Sequence, residues 1–227
     1  RRGMRLGVRI ENYKSFGKNF EIEFGPLSIV AGPNAAGKSN LISALRFIKT
    51  SVVNGPQTAV AGRWDDIKCQ RRYKTYDMHF SIKTDVKDEN IRYAFVIQRG
   101  GPDEPDVVVK EETATLSGNG YKRAGARRVE PIGKSPSLKN KGLLEKKQLE
   151  KWKERLLAGM NLAITGLDVA TRIYEFISSW EFFNVDPETA REACMEGQQL
   201  TERGKGLPNL LKEIEEARSD ELAEAKR

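Results

Sequence analysis

One stretch of the sequence, residues 27–50 (LSIVAGPNAAGKSNLISALRFIKT), constrains the fold more than any other. Residues 32–39 match the phosphate-binding pattern G-x-x-x-x-G-K-[ST] at every fixed position. The apolar run at 27–30 before them is short, which is typical of a buried strand. Behind them, three apolar residues recur at the spacing of one helix face: Leu41, Leu45 and Ile48. The sequence therefore predicts a buried strand, a phosphate-binding loop and a helix that begins near Lys38.

The chemistry of such a loop assigns a role to each of its residues. Gly32 and Gly37 can adopt backbone angles closed to other residues, so that successive N–H groups turn toward an anion. Lys38 is expected to reach the β- and γ-phosphates of ATP as the catalytic cation, and the Ser39 hydroxyl to bind Mg²⁺. Asn34 is expected near the γ-phosphate. Three residues complete the predicted nucleotide-binding set: Ala35, Ala36 and Asn40. The alternative is a glycine-rich turn before an ordinary helix.

Composition sets the limits on size, location and metal chemistry. The chain has 227 residues, enough for one domain or two small ones, and no stretch approaches the length of a membrane span. We find no signal-peptide pattern before the first predicted strand. Cys69 and Cys194 lack metal-ligand spacing and are expected to be reduced thiols of a cytoplasmic protein. His79 is the sole histidine of the sequence, so a histidine-based site is not expected.

The remaining chain divides into a strand-rich part and a helical part. Alternating apolar residues predict strands at 6–10 and 20–24, with a turn at 12–17, so that two strands precede the loop. Polar, irregular sequence follows at 51–75. Further strands are predicted at 78–82, 93–97 and 107–116, and Asn119-Gly120 predicts the next hairpin turn. Residues 1–132 are thus expected to form the nucleotide-binding lobe with an antiparallel sheet.

Residues 133–227 are expected to form a basic linker and a helical region. Helix-spaced apolar residues occur in three segments: Leu149, Trp152 and Leu156; Ala170, Ile173, Tyr174 and Ile177; and Leu210, Leu211 and Ile214. Asp186-Pro187 predicts a further helix start. The fold class predicted by residues alone is α/β, with an antiparallel subdomain followed by helices.

The net charge of +7 permits an acidic partner, and much of the excess lies between residues 118 and 142. Seven cations in this stretch face a single acidic residue, Glu130: Lys122, Arg123, Arg127, Arg128, Lys134, Lys139 and Lys141. The stretch is either a solvated loop or a surface that contacts the phosphate backbone of DNA.

Two motifs resemble those of a known family. The segment Ile10-Glu-Asn-Tyr-Lys-Ser-Phe16 is similar to the opening of ABC-type ATPase heads of the RecF, SMC and OLD-like group. Gly32-Pro-Asn-Ala-Ala-Gly-Lys-Ser-Asn40 is similar to their phosphate-binding loop. The segments 180–187 and 206–210 more weakly resemble OLD- and RecF-like bacterial ATPases. The resemblance implies the N-terminal lobe of a P-loop ABC-type head.

Such heads also need a signature serine and an apolar strand that ends in Asp-Glu, and neither is convincing here. Residues 116–120 (LSGNG) resemble the signature but are better explained by a hairpin turn. Asp168 and Asp186 lack the required apolar run and the following Glu. The C-terminal lobe is therefore expected to be absent from this sequence.

Three glutamines remain candidates for the γ-phosphate sensor of related heads: Gln57, Gln70 and Gln98. By resemblance Arg63 lies near an arginine that family members direct toward nucleotide or DNA; a solvated loop arginine is the alternative.

The resemblance further implies partners. In that family two heads close around two ATP molecules, so a second head is an expected partner. The resemblance also implies a C-terminal lobe, DNA and an effector nuclease subunit as partners, in DNA repair or phage defence. No membrane partner is expected. The alternatives are a non-catalytic module that binds nucleotide to dock a partner, and a small-molecule P-loop kinase. The two strands before the loop argue against a kinase.

Overall fold

A computed structural model describes most of the chain. The described residues are 5–70, 77–86, 89–102, 104, 106–124, 128–134, 156, 168–186, 188–192, 200–212 and 215. They belong to two compact units, Arg1–Ser179 and Trp180–Arg227. The boundary predicted between residues 132 and 133 stays a prediction.

The first unit contains a seven-stranded antiparallel sheet. Its strands are β1 (Leu6–Glu11), β2 (Phe20–Phe24), β3 (Met78–Val86), β4 (Glu89–Arg99), β5 (Val107–Leu116), β6 (Asn119–Ala124) and β7 (Arg128–Ile132). Their order in the sheet is β2-β1-β3-β4-β5-β6-β7. Every strand from β3 onward therefore pairs with the next along the chain, which is why alternating sequence patterns predicted this part well. The five strands predicted outside residues 27–30 are confirmed, and β7 is a further strand that the sequence pattern did not predict.

Among the described residues of the first unit, four helices accompany the sheet. They are α1 (Lys38–Val53), α2 (Pro56–Val60), α3 (Trp64–Ile67) and α4 (Asp168–Ser178). The expectation of irregular structure at 51–75 is wrong for 51–67, where α1 continues and two short helices follow. The helical pattern at 170–177 is confirmed, since Ala170, Ile173 and Ile177 are fully buried on one face of α4.

The core lies between one face of the sheet and α1. Side chains alternate across a strand, so every second residue of β3 and β4 faces the helices. An aromatic row crosses this layer: the Phe47 ring stacks 5.0 Å from that of Phe80, which stacks 5.2 Å from that of Phe95. Helix α1 thereby joins the phosphate-binding loop firmly to the sheet.

The hairpin between β5 and β6 turns two residues earlier than predicted. Ser117 and Gly118 both have left-handed backbone angles, with φ of 48° and 83°. Two successive left-handed residues form the type I′ turn, whose twist matches that of the paired strands. Asn119 and Gly120 instead begin β6, with Asn119 opposite Leu116. This turn confirms that residues 116–120 are a hairpin and not a helix-starting signature.

The predicted strand at 27–30 is wrong for this structure. No strand is assigned there, and the side chains of Leu27 and Ile29 are each 87% exposed. Among the residues that the structure describes, none forms a backbone hydrogen bond with 27–31. A strand needs a neighbouring strand for its backbone groups, and none of the seven described strands pairs with this segment.

The second unit is described in part. The Asp186 carboxylate accepts hydrogen bonds from the backbone N–H of Glu188 and the Thr189 hydroxyl, as expected of a helix cap. The described residues that follow form a 3₁₀ turn, Thr189–Arg191, and not a regular helix. Residues 207–212 are helical, but Leu211 is exposed, contrary to the predicted inward face. Trp152 and Ile214 lie outside the described residues, as does Leu149. Within the described part of the chain, no helix is long and apolar enough to span a membrane.

Candidate functional site

The loop at 32–37 leads directly into the first turn of α1. Gly37 is the N-terminal cap, with φ of 92°. Because glycine has no side chain, the first N–H groups of the helix have no side-chain cap. Ala35 also has a left-handed backbone, with φ of 63°. A residue with a Cβ is strained in this region, so the loop holds an unfavourable conformation at the place where an anion would bind. Gly32 is not left-handed, so the pair that shapes the loop is Ala35 and Gly37.

Lys38 extends along this loop. Its Nζ donates hydrogen bonds to the carbonyl oxygens of Gly32 at 2.6 Å and Pro33 at 2.7 Å. An ammonium group carries three donors, so one remains for a ligand above the loop. No acidic residue occupies the first turn of α1. The positive charge of Lys38 and the positive end of a 16-residue helix therefore act together on any bound anion.

The other predicted loop residues lie on the same exposed surface. Asn34, Ala35, Ala36 and Ser39 are exposed at the mouth of the loop. Ser39 follows Lys38 in the first turn, a position from which its hydroxyl can bind a phosphate-bound metal ion. Asn40 differs from the others because its side-chain Nδ2 donates to Ser15 Oγ at 2.8 Å.

The turn at 12–17 borders the loop, a relation that the sequence pattern did not reveal. Ser15 Oγ would lie 3.4 Å from a Cβ built on Gly37. Lys14 Nζ donates to Ser43 Oγ at 2.7 Å, one helical turn beyond Ser39. Lys14 and Ser15 both belong to the segment 10–16, whose resemblance to the family was the sequence signal that could have identified them. Their contacts are not visible in the sequence, so it assigned them no role.

The Tyr13 hydroxyl also reaches this border, 3.0 Å from Ser43 Oγ. Burial raises the pKa of Tyr13 above its usual value, although the Ser43 hydrogen bond and the charge of Arg63 oppose this. Tyr13 thus stays protonated and can act as a hydrogen-bond donor here. Arg63 itself is exposed at the start of α3, and its charge acts on the Tyr13 hydroxyl. Lys14, Lys38 and Arg63 make this border positive.

The three candidate sensor glutamines do not converge on the loop. Gln57 Nε2 donates to the Val107 carbonyl, and Gln70 Nε2 donates to the Asp65 carbonyl. Gln98 lies on β4. Asp168 begins a helix and does not end a strand, which agrees with its rejection as the acidic strand motif. Among the described residues, no three His, Cys, Asp or Glu side chains cluster as a metal site.

The basic stretch at 118–142 is only partly available as a surface. Arg123 is buried, and its Nη2 lies 3.1 Å from Glu112 Oε2, so the expectation that it contacts DNA is wrong. Lys122 is exposed and lies opposite Glu130 across β6 and β7. Lys134 is exposed as well. Arg127, Lys139 and Lys141 lie outside the described residues, and only the backbone of Arg128 is described.

This geometry defines a P-loop nucleotide-binding protein: a loop with left-handed residues, its lysine and the helix behind it. A family model described as an AAA domain matches residues 8–226. The chain therefore belongs to this family of AAA-type P-loop ATPases. A search of the curated proteins finds no match.

Proposed function

We propose that this chain is the ATP-binding lobe of a RecF-, SMC- or OLD-like ATPase. The observation that carries the proposal is the geometry of the loop, in which Ala35 and Gly37 turn the backbone and Lys38 spans the loop at the start of α1. This arrangement fits a triphosphate because backbone N–H groups, a helix end and a lysine all favour negative charge.

The loop residues fit ATP with Mg²⁺ in specific roles. The remaining donor of Lys38 binds the β- and γ-phosphates and stabilises charge that develops during hydrolysis. The backbone around Ala35 and Ala36 surrounds the phosphates, and Asn34 lies at the γ-phosphate side. Ser39 would hold the metal ion, which would supply positive charge that neutralises the phosphates.

A complete hydrolytic site needs an acidic strand motif and a signature serine, which we assign to a C-terminal lobe. The exposed segment 27–31 supports this assignment. This apolar segment lies directly before the loop, and its backbone groups have no partner among the described residues. Such a segment fits a strand of a sheet that is covered on both faces. In the proposal, the second lobe supplies the neighbouring strand.

The larger assembly is proposed from the family resemblance. Two heads join on ATP and separate after hydrolysis, and the cycle acts on or with DNA in repair or phage defence, with an effector nuclease subunit as a further partner. A cytoplasmic location, expected from the cysteines, belongs to the same proposal.

Replacement of Lys38 tests nucleotide binding. We expect Lys38→Ala to abolish binding of ATP–Mg²⁺, measured by isothermal titration calorimetry, because one charged donor and the closure of the loop are lost. Its stability to urea should change by no more than about 0.5 kcal/mol, as for an exposed side chain. Lys18→Ala, at an exposed position outside the loop, serves as the control. Equal ATP affinity in the unaltered and Lys38→Ala chains would contradict the proposed site.

The isolated chain should hydrolyse ATP negligibly. Strong turnover by the pure chain that disappears in Lys38→Ala would show that it contains its own catalytic base.

The exposed segment 27–31 also favours a second candidate, a non-catalytic module that docks a partner when nucleotide binds. ATP turnover measured with and without a partner that carries the second lobe separates the two functions. Turnover that rises in the complex supports the ATPase, whereas unchanged turnover supports the module. A small-molecule kinase is disfavoured by the large antiparallel sheet built around β1 and β3.

A further inference from the structure

Three side-chain hydrogen bonds join the turn at 12–17 to the first two turns of α1. Asn40 Nδ2 donates to Ser15 Oγ at 2.8 Å. One helical turn later, Ser43 Oγ accepts from Lys14 Nζ at 2.7 Å and lies 3.0 Å from the Tyr13 hydroxyl. Asn40 and Ser43 are three residues apart and therefore lie on one face of the helix. We call residues 12–17 the clasp turn.

The clasp turn is itself fixed to the rest of the first unit. The Lys14 N–H donates to the Ile67 carbonyl at 2.6 Å, and the Asn12 carbonyl accepts from the Cys69 N–H at 3.0 Å. The Tyr13 ring packs against Phe80 of the sheet at 5.5 Å and edge to face. The clasp turn can therefore serve as a rigid support for whatever it contacts.

The phosphate-binding loop, by contrast, has little support of its own. Residues 31–36 are exposed, and their described backbone–backbone hydrogen bonding consists of the Ala36 N–H donating to the Pro33 carbonyl. The Lys38 side chain, from the start of α1, adds its two hydrogen bonds to the Gly32 and Pro33 carbonyls. Ser15 Oγ lies over Gly37, where the loop passes into the helix. The hydrogen bond from Asn40 holds Ser15 at this junction.

We propose that Asn40 and Ser43 are positioning residues that hold the clasp turn against α1 and so preorganise the backbone at Gly37–Ser39 for nucleotide phosphates. The inference rests on the proposed function and refines the role predicted for Asn40: it serves the site through Ser15. A loop held in its binding conformation before the ligand arrives loses less freedom on binding, which raises affinity.

A double-mutant cycle tests the link between Asn40 and Ser15. The affinity of the chain for ATP–Mg²⁺ is measured by calorimetry for Ser15→Ala, Asn40→Ala and the double variant. We expect each single change to weaken binding about five-fold, and the double variant to be no weaker than either single one. Non-additivity is the signature of two residues that act through one contact. Ser15→Thr, which keeps the hydroxyl, should retain most of the affinity, and Ser43→Ala should weaken binding in the same direction.

Asn54→Ala, at the far end of α1, is the matched control and should leave affinity unchanged. All variants should keep the urea stability of the unaltered chain, so that loss of folding is not mistaken for loss of positioning. Losses that multiply in the double variant, or no loss in either single variant, would overturn the inference. If Lys38→Ala still abolishes binding in that case, the proposed function stands and only the positioning role fails. No ATP binding by the unaltered chain would overturn both.

Discussion

The antiparallel sheet and the segment before the phosphate-binding loop are opposites in one polypeptide. In the sheet, even a charged pair is buried: Glu112 and Arg123 lie fully inside, and the Glu112 carboxylate also accepts hydrogen bonds from Tyr93 and Tyr121. At 27–31, apolar side chains face water and the backbone lacks described partners. One region buries even a charged pair against internal partners, while the other leaves its apolar side chains exposed.

This difference separates a region with a buried core from a segment whose apolar side chains are exposed. Apart from β1 and β3, the sheet pairs strands that are consecutive in sequence, and the backbone pairing of its seven strands lies within the described residues. The segment at 27–31 has the composition of a buried parallel strand but no neighbour among the described strands. We infer that the sheet is the stable foundation and that the nucleotide side is completed on assembly.

The largest expected effect comes from breaking the buried pair. Glu112→Ala should lower the free energy of unfolding by about 3–5 kcal/mol, because Arg123 is left buried without its carboxylate partner. Urea unfolding followed by circular dichroism measures this. Glu130→Ala is the control, since Glu130 is exposed on the same sheet and should change stability by less than about 1 kcal/mol.

A compensating variant sharpens the same test. Glu112→Leu with Arg123→Met removes both charges, so most of the lost stability should return. If the double variant is as unstable as Glu112→Ala, the loss arises from packing or from the Tyr93 and Tyr121 hydroxyls that lose their acceptor, and not from an uncompensated charge.

The second prediction compares the same substitution in the two regions. Ile97→Ala, at a fully buried position of β4, should cost about 2–5 kcal/mol because it leaves a cavity. Ile29→Ala removes the same atoms from an 87% exposed side chain and should change stability by no more than about 0.5 kcal/mol. Comparable losses at both positions, in matched urea titrations, would mean that Ile29 is buried in solution and that the comparison fails.

The same contrast explains what the sequence could predict. Alternation identified β1 to β5 because each strand pairs locally and has one buried face, and the helix spacing identified α1 and α4. The strand prediction at 27–30 was wrong because the composition of the segment fits a strand, but a strand forms only beside a neighbouring strand. Composition does not reveal whether that neighbour is present. Arg123 misled because its sequence neighbours are basic, while its partner Glu112 lies across the hairpin.

The phosphate-binding loop shows the same limit at a finer scale. The motif located Lys38 and Ser39, because the chemistry of the pattern is carried by adjacent residues. It could not reveal that Asn40 contacts Ser15, since the two are 25 residues apart and meet only when β1 and α1 pack together.

The third prediction concerns high pH and the buried tyrosines. Burial, and then the negative charge of Glu112, raises the pKa of Tyr93 and Tyr121 well above the usual value near 10. The folded state therefore keeps these protons at pH values at which the unfolded chain releases them. Stability should be fully present below about pH 10 and fall above it, by up to about 1.4 kcal/mol per pH unit for each tyrosine.

Absorbance of tyrosinate during a pH titration, with urea unfolding at each pH, measures this effect. Tyr93 and Tyr121 should ionise only when the protein unfolds, and Tyr93→Phe should reduce the loss of stability above pH 10. If all tyrosines of the folded protein ionise together near pH 10, the buried cluster is open to solvent and the sheet is less closed than its contacts indicate.

The last and smallest expected effect concerns DNA at the β6–β7 end of the sheet. Because Arg123 is buried against Glu112, it is not available to phosphates. The test of the basic stretch therefore uses three other cations of its sequence: Lys122, Arg127 and Arg128. We expect Lys122→Gln, Arg127→Gln and Arg128→Gln together to weaken duplex binding equally across sequences, since lysine and arginine contact phosphates without reading bases. The slope of log affinity against log salt should flatten by up to about 0.9 for each phosphate that the variant no longer neutralises.

A charge-matched control decides whether these positions or the overall charge produce the effect. Lys68, Lys83 and Lys110 are already paired with acidic side chains, so their replacement by Gln removes the same charge without removing an available phosphate ligand. Calorimetric or fluorescence titration of one duplex at several salt concentrations compares the two triple variants with the unaltered protein. Equal slopes in all three would exclude the β6–β7 end as a DNA-binding surface, because a phosphate that binds a cationic side chain must release counterions when it is neutralised. Equal flattening in both variants would assign the effect to net charge, and the sheet would then serve the ATPase as a folded support without touching DNA at this end.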